Sequence, residues 1–574
     1  MRISLRKFPK IFLKRRQKQR HRRSYFKFST NRYISRFLLL SLGVDTVLRE
    51  TTISDRRQRL NEMTGGFGLE DAYGEMLSRI RRQGEEESRL GMATLMWISH
   101  SERPLRVDEL CYALGVEIGS LDLEGDSVPS IRKLLACCQG LVTVDREAST
   151  VRLIHLTLQE YIQAHPELFD RAHSTMAETC LSYLNSHQVN ALSANLPSNL
   201  RRTPFLEYSS LYWGMHAKRE LSDCGKRLVL KLFENYSNHI SAEILLREEK
   251  PDHVDLFSDE LSLFSRLHCA SFFGIVEIVT WLVEVGGCDI NQADCIGSTP
   301  LVWAALNGHE WVVKILLGQE SINPDKPNQC GETPLWCASR NGHEGVVKIL
   351  LGQDINPNRA SGSGETPLWC AAKNGHEGVV AILLERNDID PDKPDKDGRT
   401  PLWFAAETGH EQVVKILLGR DDVNADKPDK YGATPLWCAA SSGHEEVVKI
   451  LLRREGVNHE KSDISGKTPL VCARQNGHEG VVKILNGREG VGPEKPDNDG
   501  ETLLLGADDG CEGAARIQPG HDVVHPHKPD NDRRNPLRRV AKRVQARVRA
   551  LLQRPASTTP TRPTVGEESS FSPS

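Results

Sequence analysis

Three sets of residues in this 574-residue chain are of types that do chemistry: six Gly-His-Glu strings, one Gly-Lys-Thr triplet and fourteen cysteines. Imidazole beside carboxylate suggests zinc. A metalloprotease helix, however, needs a second His four residues after the first, so that both rings share one face. Four residues after His309, His343, His376, His410, His444 and His478 stands Val313, Val347, Val380, Val414, Val448 and Val482. No metal site is expected. Gly466-Lys467-Thr468 resembles the end of a phosphate loop, where backbone amides cradle phosphate and Lys-Thr reaches phosphate and magnesium. The loop needs a glycine five residues before Gly466, and Lys461 stands there. The cysteines form no C-x-x-C pair, and Cys337, Cys370, Cys438 and Cys472 share one repeated position, as small packing residues would. Reduced thiols are expected, with no nucleophile signature, no cofactor and no enzyme activity.

The same residues fall into register once their spacing is read. Thr-Pro-Leu recurs at Thr299, Thr333, Thr366, Thr400, Thr434 and Thr468, at intervals of 34, 33, 34, 34 and 34 residues. Gly-His follows nine residues after each Thr, and then an apolar run such as Val312-Val313-Lys314-Ile315-Leu316-Leu317. A diverged unit begins at Ser265 and a decaying one at Thr502. Thr is a helix N-cap, and Pro at the first helical position forfeits no hydrogen bond. Gly ends this short helix with a positive φ. A second helix with one apolar face follows, then a polar stretch with turn pairs Asp397-Gly398, Tyr431-Gly432 and Ser465-Gly466, suited to hairpin finger tips. Helices this short are unstable alone, so the units must stack.

This pattern resembles the ankyrin-repeat family across residues 265–517, through T-P-L-x-x-A, G-H and V-V-x-x-L-L. It departs at the third position after Thr. The family usually has His there, which helps tie the turn; here Trp336, Trp369, Trp403 and Trp437 stand instead. These indoles read as extra packing between repeats, with one local hydrogen bond lost per unit. The resemblance implies a mainly α fold: a helical and winged-helix N-terminal region followed by an ankyrin-repeat α-solenoid with β-hairpin fingers.

Net charge is −3, yet residues 1–36 carry fourteen Lys or Arg and no acid. Such an arm is expected to be disordered; it reads as an import or nucleic-acid contact segment, or as a non-native start. No secretory signal or membrane span is read, since the apolar stretch Phe37–Leu42 is far short of the ~20 residues a span requires. The location expected is cytoplasmic or nuclear. From Ile34 to Ile80 the pattern is helical, with Phe37 to Leu48 giving one apolar face. Residues 90–165 have winged-helix order: helices at Leu90–Ile98, Val107–Leu114 and Ile131–Cys138, then a wing at Leu141–Val144 and Val151–Ile154. His155-Leu156-Thr157-Leu158-Gln159-Glu160-Tyr161-Ile162 follows. That string is similar to the element behind the winged helix of NACHT-class signalling ATPases of fungi, and to the winged helix beside GPI inositol-deacylase. The resemblance implies architecture, not deacylase chemistry. Few basic residues besides Arg132 and Lys133 line the third helix, so packing is favoured over DNA reading.

The domains expected are a basic arm (1–35), a helical linker from a NACHT-associated region (36–89), a winged helix (90–165), a helical region (166–260), the repeats (261–517) and a degenerate repeat with a disordered tail (518–574). The function expected is a scaffold that binds a partner protein on the concave repeat surface, as a fragment of an NLR-like self-nonself recognition receptor. The candidate contact residues are Arg340, Asn341, Lys373, Asn374, Glu407, Ser441, Ser442, Arg474 and Gln475, with the finger residues Asp395, Lys396, Asp429, Lys430 and Tyr431. Two other readings stay open. The chain could be the regulatory half of a nucleotide-driven switch whose ATPase lies upstream, or a DNA-binding protein using arm and wing.

Overall fold

Each Thr-Pro-Leu opens a helix for a local reason. In the computed structural model, which describes residues 69–122, 127–192, 203–249, 263–285 and 287–487, the Thr333 hydroxyl accepts the main-chain N–H of Trp336 (3.1 Å). The bond recurs from Trp369 to Thr366, Trp403 to Thr400 and Trp437 to Thr434. The basic arm, the Phe37–Leu48 face, the decaying unit at Thr502 and the tail lie outside the described residues.

Seven repeats are described. Their inner helices are Arg266–Phe273, Pro300–Leu306, Pro334–Asn341, Pro367–Asn374, Pro401–Thr408, Pro435–Ser442 and Pro469–Gln475. Their outer helices are Val276–Glu284, Glu310–Leu317, Glu344–Leu351, Glu377–Leu384, Glu411–Leu418, Glu445–Arg453 and Glu479–Asn486. Inner helix packs on inner helix and outer on outer from each repeat to the next. Val346, Val347 and Leu350 of one outer helix are fully buried, and each contributes about 2 kcal/mol of hydrophobic stabilisation.

The fingers are hairpin turns without a strand ladder of their own. Five residues before Thr400, Asp395 turns its Oδ1 back onto the N–H groups of Asp397 (2.9 Å) and Arg399 (3.0 Å). Asp294, Asn328, Asp429 and Asp463 close their own fingers in the same way. Neighbouring tips are then joined through the main chain: Gln329 N–H donates to Ile296 C=O, Gly362 to Cys330, Lys396 to Ser363, Lys430 to Asp397 and Ile464 to Tyr431. Gly398, at φ +82°, brings the position of its missing Cβ to 3.0 Å from the Lys430 nitrogen, so a side chain there would push the next tip away.

Ahead of the repeats, α1 (Leu69–Arg81), α2 (Glu85–His100), α3 (Val107–Gly115), α4 (Ile131–Cys137), β1 (Val142–Asp145), β2 (Thr150–Leu153) and α5 (Leu156–Ala164) form the winged-helix unit. The strands are antiparallel, with Val142 opposite Leu153. The His155-Leu156-Thr157 element has a structural job. His155 Nδ1 accepts the Thr157 N–H and caps α5, while the Thr157 hydroxyl bonds Tyr73 of α1 at 2.8 Å. A helical block follows: α6 (Ala172–Leu184), α7 (His187–Asn190), α8 (Leu206–Arg219), α9 (Asp223–Phe233) and α10 (Ile240–Glu249). Trp97 of α2 packs edge-on against Phe205 (5.6 Å) and Tyr208 (6.0 Å). Trp213 of α8 meets Phe273 of the first repeat at 5.1 Å. Buried Glu109 accepts two bonds from Arg103, at 2.7 Å each, and Arg106 reaches on to Glu207 of α8.

Below the fingers a second line of contacts runs between repeats. Asn358 Oδ1 accepts the Asp390 N–H, its Nδ2 donates to the Asp388 carbonyl, and Lys393 Nζ donates to the Asn358 main-chain carbonyl. One repeat on, Asp392 fills this place: Oδ2 accepts the Asn424 N–H, but buried Oδ1 has no partner. Desolvation accordingly raises the Asp392 carboxyl above the ordinary range. A raised carboxyl stabilises the fold below its unfolded pKa, and that contribution is lost as pH rises through the folded pKa. Asp392→Asn supplies the missing donor and is expected to stabilise the protein by about 1 kcal/mol at neutral pH. In urea titrations the gain should shrink toward about pH 4, where the acid carries its own proton; a variant equal to or weaker than wild type at neutral pH contradicts this account.

Candidate functional site

The face built by inner helices and fingers carries its own apolar ribbon, with Val302, Trp336, Cys337, Trp369, Cys370, Trp403, Phe404, Ala433 and Cys438 packed together apart from the main core. The four tryptophans make hydrogen bonds of another kind. Each indole N–H donates across to the next repeat: Trp336 to the Glu365 carbonyl (3.0 Å), Trp369 to Arg399 (3.2 Å), Trp403 to Ala433 (3.0 Å) and Trp437 to Lys467 (3.0 Å). The local bond expected to be lost is thus replaced by one that joins neighbours. In the diverged first unit His268 keeps the family's arrangement, accepting the Ser265 N–H at 3.1 Å.

Cations lie over these rings. The Arg340 guanidinium is 5.2 Å from the Trp336 centroid. Lys373 Nζ is 4.6 Å from Trp369 and 4.9 Å from Phe404, and Arg399 is 4.9 Å from Phe404. The aromatic faces attract and immobilise these charges. Glu365 and Glu407 lie among them, and partial burial raises both carboxyls despite the neighbouring Lys373.

The residues singled out by sequence separate into two groups. Arg340, Lys373, Glu407, Ser442, Gln475, Lys396 and Lys430 are exposed, Arg474 and Ser441 are half-buried, and Tyr431 is 39 % exposed. Lys430 pairs with Asp397 of the preceding tip at 2.5 Å. Asp395 and Asp429 are a correction: they are 7 % and 8 % exposed and spend their carboxylates closing their own fingers, as burial with backbone donors requires. Asn341 and Asn374 turn back to the carbonyls of Cys337 and Cys370 (2.9 Å each) and serve as helix ends. Sequence reasoning missed Arg399, whose place at the finger base gave no sign of the Phe404 ring five residues on.

The groups that suggested chemistry have structural partners. His343 Nε2 bonds the Leu306 carbonyl of the preceding repeat (3.0 Å), and the contact recurs at His309, His376, His410, His444 and His478. Each of these six rings lies on a glycine of the repeat before it. A Cβ on Gly375 would sit 2.6 Å from the His410 ring. Burial pushes His343 down, and His309, facing Lys218 as well, down to about 4. Burial likewise raises the Cys370 and Cys438 thiols, and Cys472 to about 12, which keeps them protonated and poor nucleophiles. Thr468 caps a helix and Lys467 Nζ donates to Gln475. On α4 of the winged-helix unit Lys133 is paired with Glu86 at 2.6 Å. Among the described residues no group of three or more His, Cys, Asp or Glu is placed to hold a metal ion, and no helix is long and apolar enough to cross a membrane.

Comparison with known proteins agrees with this architecture. Residues 234–499 are covered by overlapping matches to the family described as ankyrin repeats, at 234–328, 267–361, 301–395, 352–427, 387–463 and 420–499. Residues 79–176 match the winged helix domain of GPI inositol-deacylase. The repeat array is therefore an ankyrin-repeat array, preceded by a winged-helix unit. Among solved structures the chain is similar to the human ASB11 ankyrin repeat domain, at 26% identity over 39% of this chain and 100% of that one, with a TM-score of 0.36. It is also similar to the ankyrin repeat domain of Bcl-3, described as a member of the IkappaB protein family, at 27% identity over 38% and 97%, with a TM-score of 0.35. No curated protein matches.

Two substitutions test the joints of this face. Gly375→Ala combines a φ of +71° with a clash on His410 and should cost roughly 2 kcal/mol or more. Trp403→Phe keeps most of the buried area but removes one of the two bonds to the Ala433 carbonyl, which keeps the Asp429 N–H, and about 0.5–1 kcal/mol is expected. Chemical denaturation reads both; a neutral Gly375→Ala refutes the proposed His–Gly joint.

Proposed function

We propose that this chain is a non-catalytic scaffold that holds a partner protein on the concave face of its ankyrin array. Ankyrin repeats point to protein–protein interaction, and one local observation supports placing it on this face. Arg340, Lys373 and Arg399 are held over buried rings before any partner arrives, so less side-chain entropy is lost when they are engaged. Glu407, Ser441, Ser442, Arg474 and Gln475, with Lys396, Lys430 and Tyr431 on the tips, are assigned the choice of partner. The finer reading is an NLR-like receptor fragment of the fungal NACHT type, acting in the cytoplasm or nucleus in signalling or self-nonself recognition. Its support is the winged-helix match at 79–176 ahead of the repeats.

The test is capture of proteins from a lysate of the source cells on the immobilised full chain. Arg340→Glu with Lys373→Glu should lower recovery of the specific partner roughly tenfold. Lys348→Glu, on an exposed outer-helix position, should leave it unchanged. Equal loss from both variants, or from neither, rules out the assigned face.

A further inference from the structure

A directed chain of hydrogen bonds crosses from the winged-helix unit into the helical block. The Glu102 N–H, just after α2, donates to Tyr208 Oη (3.2 Å). Tyr208 Oη lies 3.0 Å from His216 Nε2, and His216 Nδ1 lies 2.9 Å from His173 Nδ1 on α6. Tyr208 and His216 are fully buried. One placement of protons satisfies every link and also uses the Tyr208 hydroxyl proton. With the Glu102 N–H already received, the tyrosine's own proton goes to His216 Nε2; His216 is then protonated at Nδ1 and donates to an unprotonated Nδ1 of His173. Both imidazoles are neutral. A proton added to either sets two N–H groups facing each other, or makes the Tyr208 oxygen accept from His216 and costs the bond that its own O–H donates.

Nothing nearby compensates an added charge. From α2 and the turn after it come His100, edge-on to His173 at 5.5 Å, and Glu102, which is ion-paired with Arg219. From α6 come Arg171 and Glu178, with Glu178 accepting from Ser174 and Ser222. From α8 come Arg219 and Glu220, with Glu220 facing Arg171 at 3.9 Å. Every carboxylate around the pair is engaged, and Arg219 repels an imidazolium. Burial, reinforced by Arg219, holds His173 down to about 4 and His216 lower still.

We propose that the Tyr208–His216–His173 chain is an acid-sensitive latch between the winged-helix unit and the helical block that carries the repeats. The block meets the array through α8, where Trp213 packs on Phe273 and Lys218 donates to His309, so the latch sets whether the winged helix and the array move as one. A depressed imidazole contributes stability above its unfolded pKa of about 6.5 and loses it as pH falls toward the folded value. Each such ring freed on opening raises the opening constant roughly thirtyfold between about pH 7.5 and about pH 5.

Hydrogen exchange of the full chain, corrected for intrinsic rates, tests this. Segments 94–102, 172–184 and 206–219 should open at least tenfold more at about pH 5 than at about pH 7.5, while segment 400–452 of the array changes less than twofold. His173→Gln, whose amide oxygen can still accept the His216 N–H, should cut the response severalfold, and so should His216→Phe; if the latter fails to fold, His173→Gln carries the test alone. Unchanged protection, equal opening of segment 400–452, or a His173→Gln response equal to wild type would overturn the latch.

Discussion

An imidazole laid on a glycine joins each repeat to the one before it, and the array depends on that contact. The glycine ends an inner helix at positive φ, a conformation and a closeness that a side chain would spoil, as at Gly342 beneath His376 and Gly409 beneath His444. The ring opens the next outer helix and donates back to a carbonyl at the end of the earlier inner helix, as His376 does to Arg340. One residue pair thus fixes spacing, orientation and a buried polar group together. Helices of about two turns have no stability of their own, so cohesion comes from such joints between neighbours.

The tryptophans extend this logic to the other side of the inner helices. Where a histidine would have tied its own turn, an indole reaches the following repeat, and its ring becomes the seat of a cation. Packing and recognition meet in the same side chains: the buried part of Trp369 holds repeats together, and Lys373 and Phe404 on its surface define what a partner would encounter.

How much of this was legible in the sequence follows from the range of each interaction. Thr caps, glycine stops and the Val-Val-x-x-Leu-Leu faces act within a dozen residues, and the period of the Thr-Pro-Leu strings exposes them. The wing was legible for the same reason, since Val142–Asp145 and Thr150–Leu153 are neighbours in the chain. The finger closure had a local sign that went unused: an Asp or Asn five residues before Thr, which made Asp395 and Asp429 look like contact residues when they are turn caps. The indole acceptors lie about thirty residues on, and the Tyr208, His216 and His173 side chains converge only through tertiary packing. Local spacing carries no trace of either.

The main-chain bonds between fingertips bear on how such a surface changes over generations. A peptide group is the same whatever residue bears it, and Gln329, Lys396, Lys430 and Ile464 all make the identical link. Side chains at these points can add to that link, as Gln329 does at the Cys295 carbonyl and Lys430 at Asp397, but the link itself does not require them. Specificity could drift there by single substitutions while the scaffold stays still, and a foreign tip sequence grafted between the turn cap and its glycine would inherit the same seat.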